Sequence, residues 1–145
     1  MTDTVAPVSV GGPLRPGPIV GRTSELAALE DLLAQDGVRL VTLTGPAGVG
    51  KSRLAAEAWH DRASAGDVAV HVPLGTVADS GLAVDALVAA LRDSPEDAST
   101  PAQALWHRAD GVPVLLVLDD GDEVEGLPEL VLDLLDSYPA LTVLA

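Results

Sequence analysis

Gly45-Pro46-Ala47-Gly48-Val49-Gly50-Lys51-Ser52 holds the only lysine of the chain; the seven other basic residues are arginines. Gly45, Gly48 and Gly50 let the backbone adopt positive φ and come close to a ligand, so successive N–H groups can point inward as an anion nest. An ammonium and a hydroxyl follow at once. The spacing is that of GxxxxGK(S/T), in which the lysine reaches the β- and γ-phosphates of a nucleotide and the hydroxyl takes one position on magnesium. Capture of a di- or triphosphate is the chemistry these residues point to.

A second group with chemical potential closes an apolar run. Val114-Leu115-Leu116-Val117-Leu118 ends in Asp119-Asp120. In a nucleotide-binding sheet such a strand brings its first acid, Asp119, to the magnesium shell beside Ser52. Asp120 is then placed to orient or polarise an attacking water, with Lys51 as the other candidate catalytic group. Asp122, Glu123 and Glu125 come next and read as the charged start of a helix rather than as ligands.

These groups need elements to hold them. An apolar strand at 39–44 leads into the glycine loop, and a helix at 51–64 leaves it, adding its positive dipole end to the anion site. Upstream, Thr23 can cap a helix over 24–35 with Leu26, Leu29 and Leu33 on one face. Downstream, residues 68–74 alternate as a second strand, and 82–92 read as a helix. Residues 94–99 form an acidic loop, after which Thr100 caps a helix over 101–109 with Pro101 at its first position. Residues 113–119 are a strand covered on both faces, 128–138 a helix, and 141–145 a last strand. The alternation predicts an α/β chain with a parallel, three-layer αβα sheet and right-handed crossovers. Residues 1–18, with four prolines and three glycines, read as a disordered lead.

Composition narrows the classes. At 145 residues and 48% hydrophobic content the chain is one globular domain, with an aliphatic core because aromatics are only 2%. No apolar stretch reaches the ~18 residues of a membrane span, and the N-terminus lacks the pattern of a signal peptide. Without cysteine there is no disulfide and no thiolate metal site, which suits the cytoplasm. His60, His71 and His107 lack metal-ligand spacing and are expected on the surface or in strands, while Trp59 and Trp106 are expected as packing residues. A net charge of −14 offers no basic stripe for nucleic acid.

The ordered motifs resemble a known family. Ile19-Val20-Gly21-Arg22 before a helix, then the glycine loop, then Leu115-Leu116-Val117-Leu118-Asp119-Asp120, are similar to the nucleotide-binding core of STAND ATPases. The nearest likeness is to the NB-ARC/AAA-like P-loop NTPase modules of bacterial, especially actinobacterial, transcriptional regulators. The resemblance implies an adenine nucleotide, ATP or ADP with Mg2+, as ligand. It places Val20 and Arg22 against the base. As the Walker A element, Gly45, Pro46, Ala47, Gly48, Val49, Gly50, Lys51, Ser52 and Arg53 surround the phosphates. As the Walker B element it gives Asp119 for the metal, beside Ser52, and Asp120 for catalysis. The guanine-reading Asn-Lys-x-Asp element is absent, which also favours adenine.

The resemblance further implies the strand order 2-3-4-1, with the last strand between the first and the acidic one. The expectation is a partial nucleotide-binding domain over 19–145, with the fifth strand, the sensor arginine and the helical lid missing. Binding should then survive better than turnover, leaving slow or no hydrolysis. The first strand becomes an exposed apolar edge, open to self-association or to docking of missing regulator domains. Two other readings stand beside the regulatory module: a small-molecule kinase on the same fold, and a truncated remnant without function.

Overall fold

Strands with no polar face require cover on both sides. A computed structural model describes residues 23–44, 50–75, 77, 79–91 and 100–145, and supplies that cover. The elements are α1 (Thr23–Ala34), β1 (Leu40–Val41), α2 (Lys51–Ser64), β2 (Val68–Pro73), α3 (Ser80–Leu91), α4 (Pro101–Ala109), β3 (Val114–Asp119), α5 (Leu127–Ser137) and β4 (Leu141–Leu144). Every strand pair is parallel and the sheet order is β1-β4-β3-β2, which read from the other edge is 2-3-4-1. The lead at 1–18, Val20 and Arg22, the loop residues Gly45, Pro46, Ala47, Gly48 and Val49, and the acidic loop at 94–99 lie outside the described residues.

Two apolar clusters sandwich the sheet. Val68, Val70 and Val72 of β2, Leu116 and Leu118 of β3, and Val143 of β4 face α3, α4 and α5. Ala69, Leu115, Val117 and Leu144 face the other way, against Leu29 and Leu33 of α1 and Leu54, Ala58 and Trp59 of α2. The alternation in β2 therefore does not separate core from solvent. It separates large residues on one buried face from small Ala69 and polar His71 on the other. His71 is a strand residue, the second of its two expected settings, and it is buried.

The first strand is shorter than its apolar run. Only Leu40–Val41 form regular strand, although the ladder to β4 continues through Val143 N to Arg39 O (2.8 Å) and Leu43 N to Ala145 O (2.7 Å). Arg39 is the anchor of this edge. Its guanidinium donates to Leu141 O (3.3 Å), Leu135 O and Tyr138 O (2.8 Å), so it meets the last carbonyls of α5 where a cation is favoured. Leu40 beside it is exposed. Trp59 is a core residue as expected, whereas Trp106 is 44% exposed. It leans on buried Tyr138 (centroids 4.8 Å apart) and donates its indole N–H to Ser137 O at 3.0 Å. Among the described residues no helix is long and apolar enough to cross a membrane.

The α1–α2 contact carries a pair of carboxyl groups. Glu30 of α1 shares a hydrogen bond with Asp61 of α2, and this, with desolvation and the charges of Asp61 and Asp31, raises Glu30 from 4.5 to about 7 against the pull of Arg62. A raised folded-state value means that the folded chain holds the proton more tightly than the unfolded one. The resulting stability is full below 4.5, declines as pH rises, and is gone above about 7. Thermal melts should therefore show wild type losing ground to Glu30→Gln between about pH 5 and pH 8, with the variant the more stable at the upper end. A wild-type pH profile no steeper than the variant's would remove the shared proton from the account.

Candidate functional site

Gly50 sits at φ +93°, a left-handed conformation that glycine adopts without steric cost, and there α2 begins. Its carbonyl accepts the first helical hydrogen bond, from Leu54 N at 3.0 Å, and no side chain caps the helix. The opening N–H groups of α2 thus have no partner within the helix, as at any helix start, and the dipole favours an anion before them. Lys51 and Ser52 occupy the first two helical positions.

The sheet delivers the acids to the same place. In a parallel α/β sheet, loops at the carboxyl ends of adjacent strands share one rim. Asp119 is the last residue of β3 and lies on the α2 face, in step with Leu115 and Val117. The Ser52 hydroxyl donates to Asp119 Oδ1 at 2.7 Å. Lys51 Nζ stands 3.1 Å from Asp122 Oδ2, and His71 Nε2 3.3 Å from Asp119 Oδ2.

Lys51, Ser52, Asp119 and Asp120 line a single cavity of about 470 Å³, together with Asp122 and apolar residues such as Leu40 of β1 and Val131 of α5. Arg53 lies in the first turn of α2, half-buried and outside this lining. Asp120 has φ +61°, a conformation that costs a non-glycine residue about 1–3 kcal/mol and that clusters at functional sites, although aspartate tolerates it better than most. Its Oδ2 lies only 2.7 Å from where a Cβ on Gly75 would stand, so the carboxylate packs directly on that glycine's backbone.

Two contacts were not legible in the sequence. Asp122 is not the charged start of a helix: α5 begins later, at Leu127, and Asp122 pairs with Lys51 instead. A turn of unknown geometry gives no hint of such a pairing. His71 had a signal, a polar residue inside an otherwise apolar parallel strand, but its partner depends on strand register, His71 opposite Val117 and Pro73 opposite Asp119.

The arrangement suits two ligand chemistries at once. Lys51 and the start of α2 attract an anion, while the Ser52 hydroxyl and Asp119 carboxylate present hard oxygens to a cation. Two oxygens 2.7 Å apart are close to the roughly 2.9 Å edge of an octahedron with metal–oxygen distances near 2.0–2.1 Å, so the pair fits magnesium. No cluster of three or more metal-binding side chains occurs among the described residues. A magnesium ion held by two protein oxygens would need waters and substrate phosphates to complete its shell.

A family model described as AAA ATPase domain matches residues 18–141. No curated protein and no solved structure matches the chain. With most of its length covered by that match, and with the start of α2 meeting the end of β3 at the carboxyl rim of a parallel sheet, the chain belongs to the AAA ATPase domain family, as a P-loop NTPase module.

Proposed function

We propose that this chain is the ATP/ADP-binding module of a STAND-type regulatory ATPase, holding Mg-nucleotide with slow or no hydrolysis when isolated. The observation that carries the reading is the 2.7 Å contact between Ser52 and Asp119, with Lys51 one residue before the hydroxyl. In this reading Lys51 and the first N–H groups of α2 bind the diphosphate, and Ser52 and Asp119 hold Mg2+. The bound ion would offset negative charge on the phosphate oxygens. Asp120, on the same rim, orients the attacking water, and Val20 and Arg22 flank the adenine as the family resemblance implies.

Slow turnover follows from what surrounds the phosphates. Transition-state charge in this chemistry is commonly met by an arginine worth roughly a thousandfold or more, and no arginine is among the described residues that line the cavity. Lys51 is the only cation among the described residues that line it.

Calorimetric titration of the purified chain with ADP, ATP and GTP in magnesium tests the reading. Adenine nucleotides should bind and GTP should bind less tightly. Lys51→Ala removes charged hydrogen bonds worth about 1.5–3 kcal/mol, so ADP affinity should fall by about 10- to 100-fold. A variant that binds ADP as tightly as wild type would overturn the role of Lys51.

Asp122 competes with the incoming phosphates for the same ammonium. The pair is largely solvent-exposed at Asp122 and worth about 0.2–1 kcal/mol, so Asp122→Asn should tighten ADP binding by up to about fivefold. Weaker binding in that variant would mean that Asp122 serves the nucleotide rather than opposes it.

The β1 edge, where Leu40 is exposed, is the face we assign to self-association or to docking of a regulator's other domains. Light scattering across a concentration series should show growth beyond the monomer, and a constant monomer mass would withdraw that assignment.

A further inference from the structure

We infer that His71 is a positioning residue for Asp119, fixing which carboxylate oxygen faces the metal and phosphate side of the site. The inference rests on the nucleotide reading above and adds a residue to it. Period-two alternation puts His71 and Asp119 on the same face of the sheet, toward α2, and the β2–β3 register sets them one pleat apart. The two oxygens of Asp119 are divided between two neighbours. Oδ1 accepts from the Ser52 hydroxyl at 2.7 Å, and Oδ2 lies 3.3 Å from His71 Nε2. A carboxylate oxygen can only accept, so the ring donates from Nε2. The χ2 torsion of aspartate is broad and roughly two-fold, so one hydrogen bond alone does not hold the group in a single orientation. A second bond from the opposite side does.

Packing does not account for this histidine. Its side chain is only 6% exposed, and its Nδ1 is buried with no hydrogen-bond partner among the described residues. An unsatisfied buried polar atom is costly, and valine or leucine would fill a strand interior without it. Among the described residues the ring's polar contact is to Asp119. His71 is not among the residues lining the cavity; it stands behind the carboxylate, where it can orient Asp119 without touching substrate.

The same logic governs residues that orient the ligands of metal sites, whose loss typically weakens metal binding by about 10- to 100-fold. Mn2+ is the probe, titrated into the full chain with saturating ADP, and ADP affinity is measured separately in EDTA. His71→Leu should weaken Mn2+ binding about tenfold or more while ADP affinity in EDTA stays within about twofold of wild type. His71→Gln, whose amide nitrogen reaches about as far as Nε2, should recover most of the Mn2+ affinity. His71→Asn, whose amide falls short of Asp119, should behave like the leucine variant. If the leucine variant does not fold, the contrast between the Gln and Asn variants decides the matter.

Equal Mn2+ affinity in wild type and variants overturns the inference alone. So does a loss of ADP affinity in EDTA that matches the loss of Mn2+. A wild-type chain that binds neither ADP nor Mn2+ overturns this inference together with the nucleotide reading.

Discussion

One hydrogen bond joins the start of a helix to the end of a strand, and the site is built around it. Ser52 belongs to α2 and Asp119 to β3, elements that meet only because the parallel sheet carries α2 across its face. Helix and strand are each fixed by other means. Leu54, Ala58 and Trp59 seat α2 on Ala69, Leu115 and Val117, and β3 is paired on both sides, by β2 and β4. Two rigid elements thus set a hydroxyl and a carboxylate at a cation-sized spacing before any ligand arrives. Preorganisation of this kind spares a ligand the cost of ordering its own site.

The sheet itself was largely legible, for a physical reason. β3 reads as a continuous apolar run because both of its faces are covered, and continuous runs mark parallel strands. Thr100 and Pro101 marked the start of α4 because cap chemistry is local: the Thr100 hydroxyl accepts from Gln103 N at 3.3 Å. Lys51, Ser52 and Asp119 could be named for the same site because a fixed loop spacing and a strand end constrain where those side chains go. β1 was harder to bound. Its run extends over 39–44, but regular pairing is confined to Leu40–Val41, and Arg39 is held by the carbonyls of Leu135 in α5, Tyr138 just after it and Leu141 in β4, which lie far along the chain.

The contacts that escaped the sequence share one property: each depends on register or turn geometry rather than on composition. His71 meets Asp119 only because β2 and β3 align Val68 with Val114 and not with a neighbour; a slip of one residue would turn the ring toward the α3–α5 face. Asp122 reaches Lys51 only because the chain after β3 turns through Asp120 in a left-handed conformation. Neither arrangement is encoded in a local pattern. Both sit where the candidate site departs from the rules that form the core, and His71 shows this twice, as a polar group inside a strand and as a ring whose Nδ1 has no hydrogen-bond partner among the described residues.

The charge balance around Lys51 gives the arrangement its logic. Asp119, Asp120 and Asp122 line the same cavity as this one ammonium, in a chain of net charge −14. Among the described lining residues, one lysine and a helix dipole of about half a charge face three carboxylates, so a bare polyphosphate entering such a cleft would meet more repulsion than attraction from them. In the proposed reading, Ser52 and Asp119 would hold a divalent cation whose charge would offset that imbalance. Lys51 is paired meanwhile with Asp122, the contact that an incoming phosphate would have to displace. In the proposed reading the surrounding acid would couple anion to cation: the site would favour a phosphate that brings its own metal over the phosphate alone, and the carboxylate proposed to meet that metal, Asp119, is the one contacted by both Ser52 and His71.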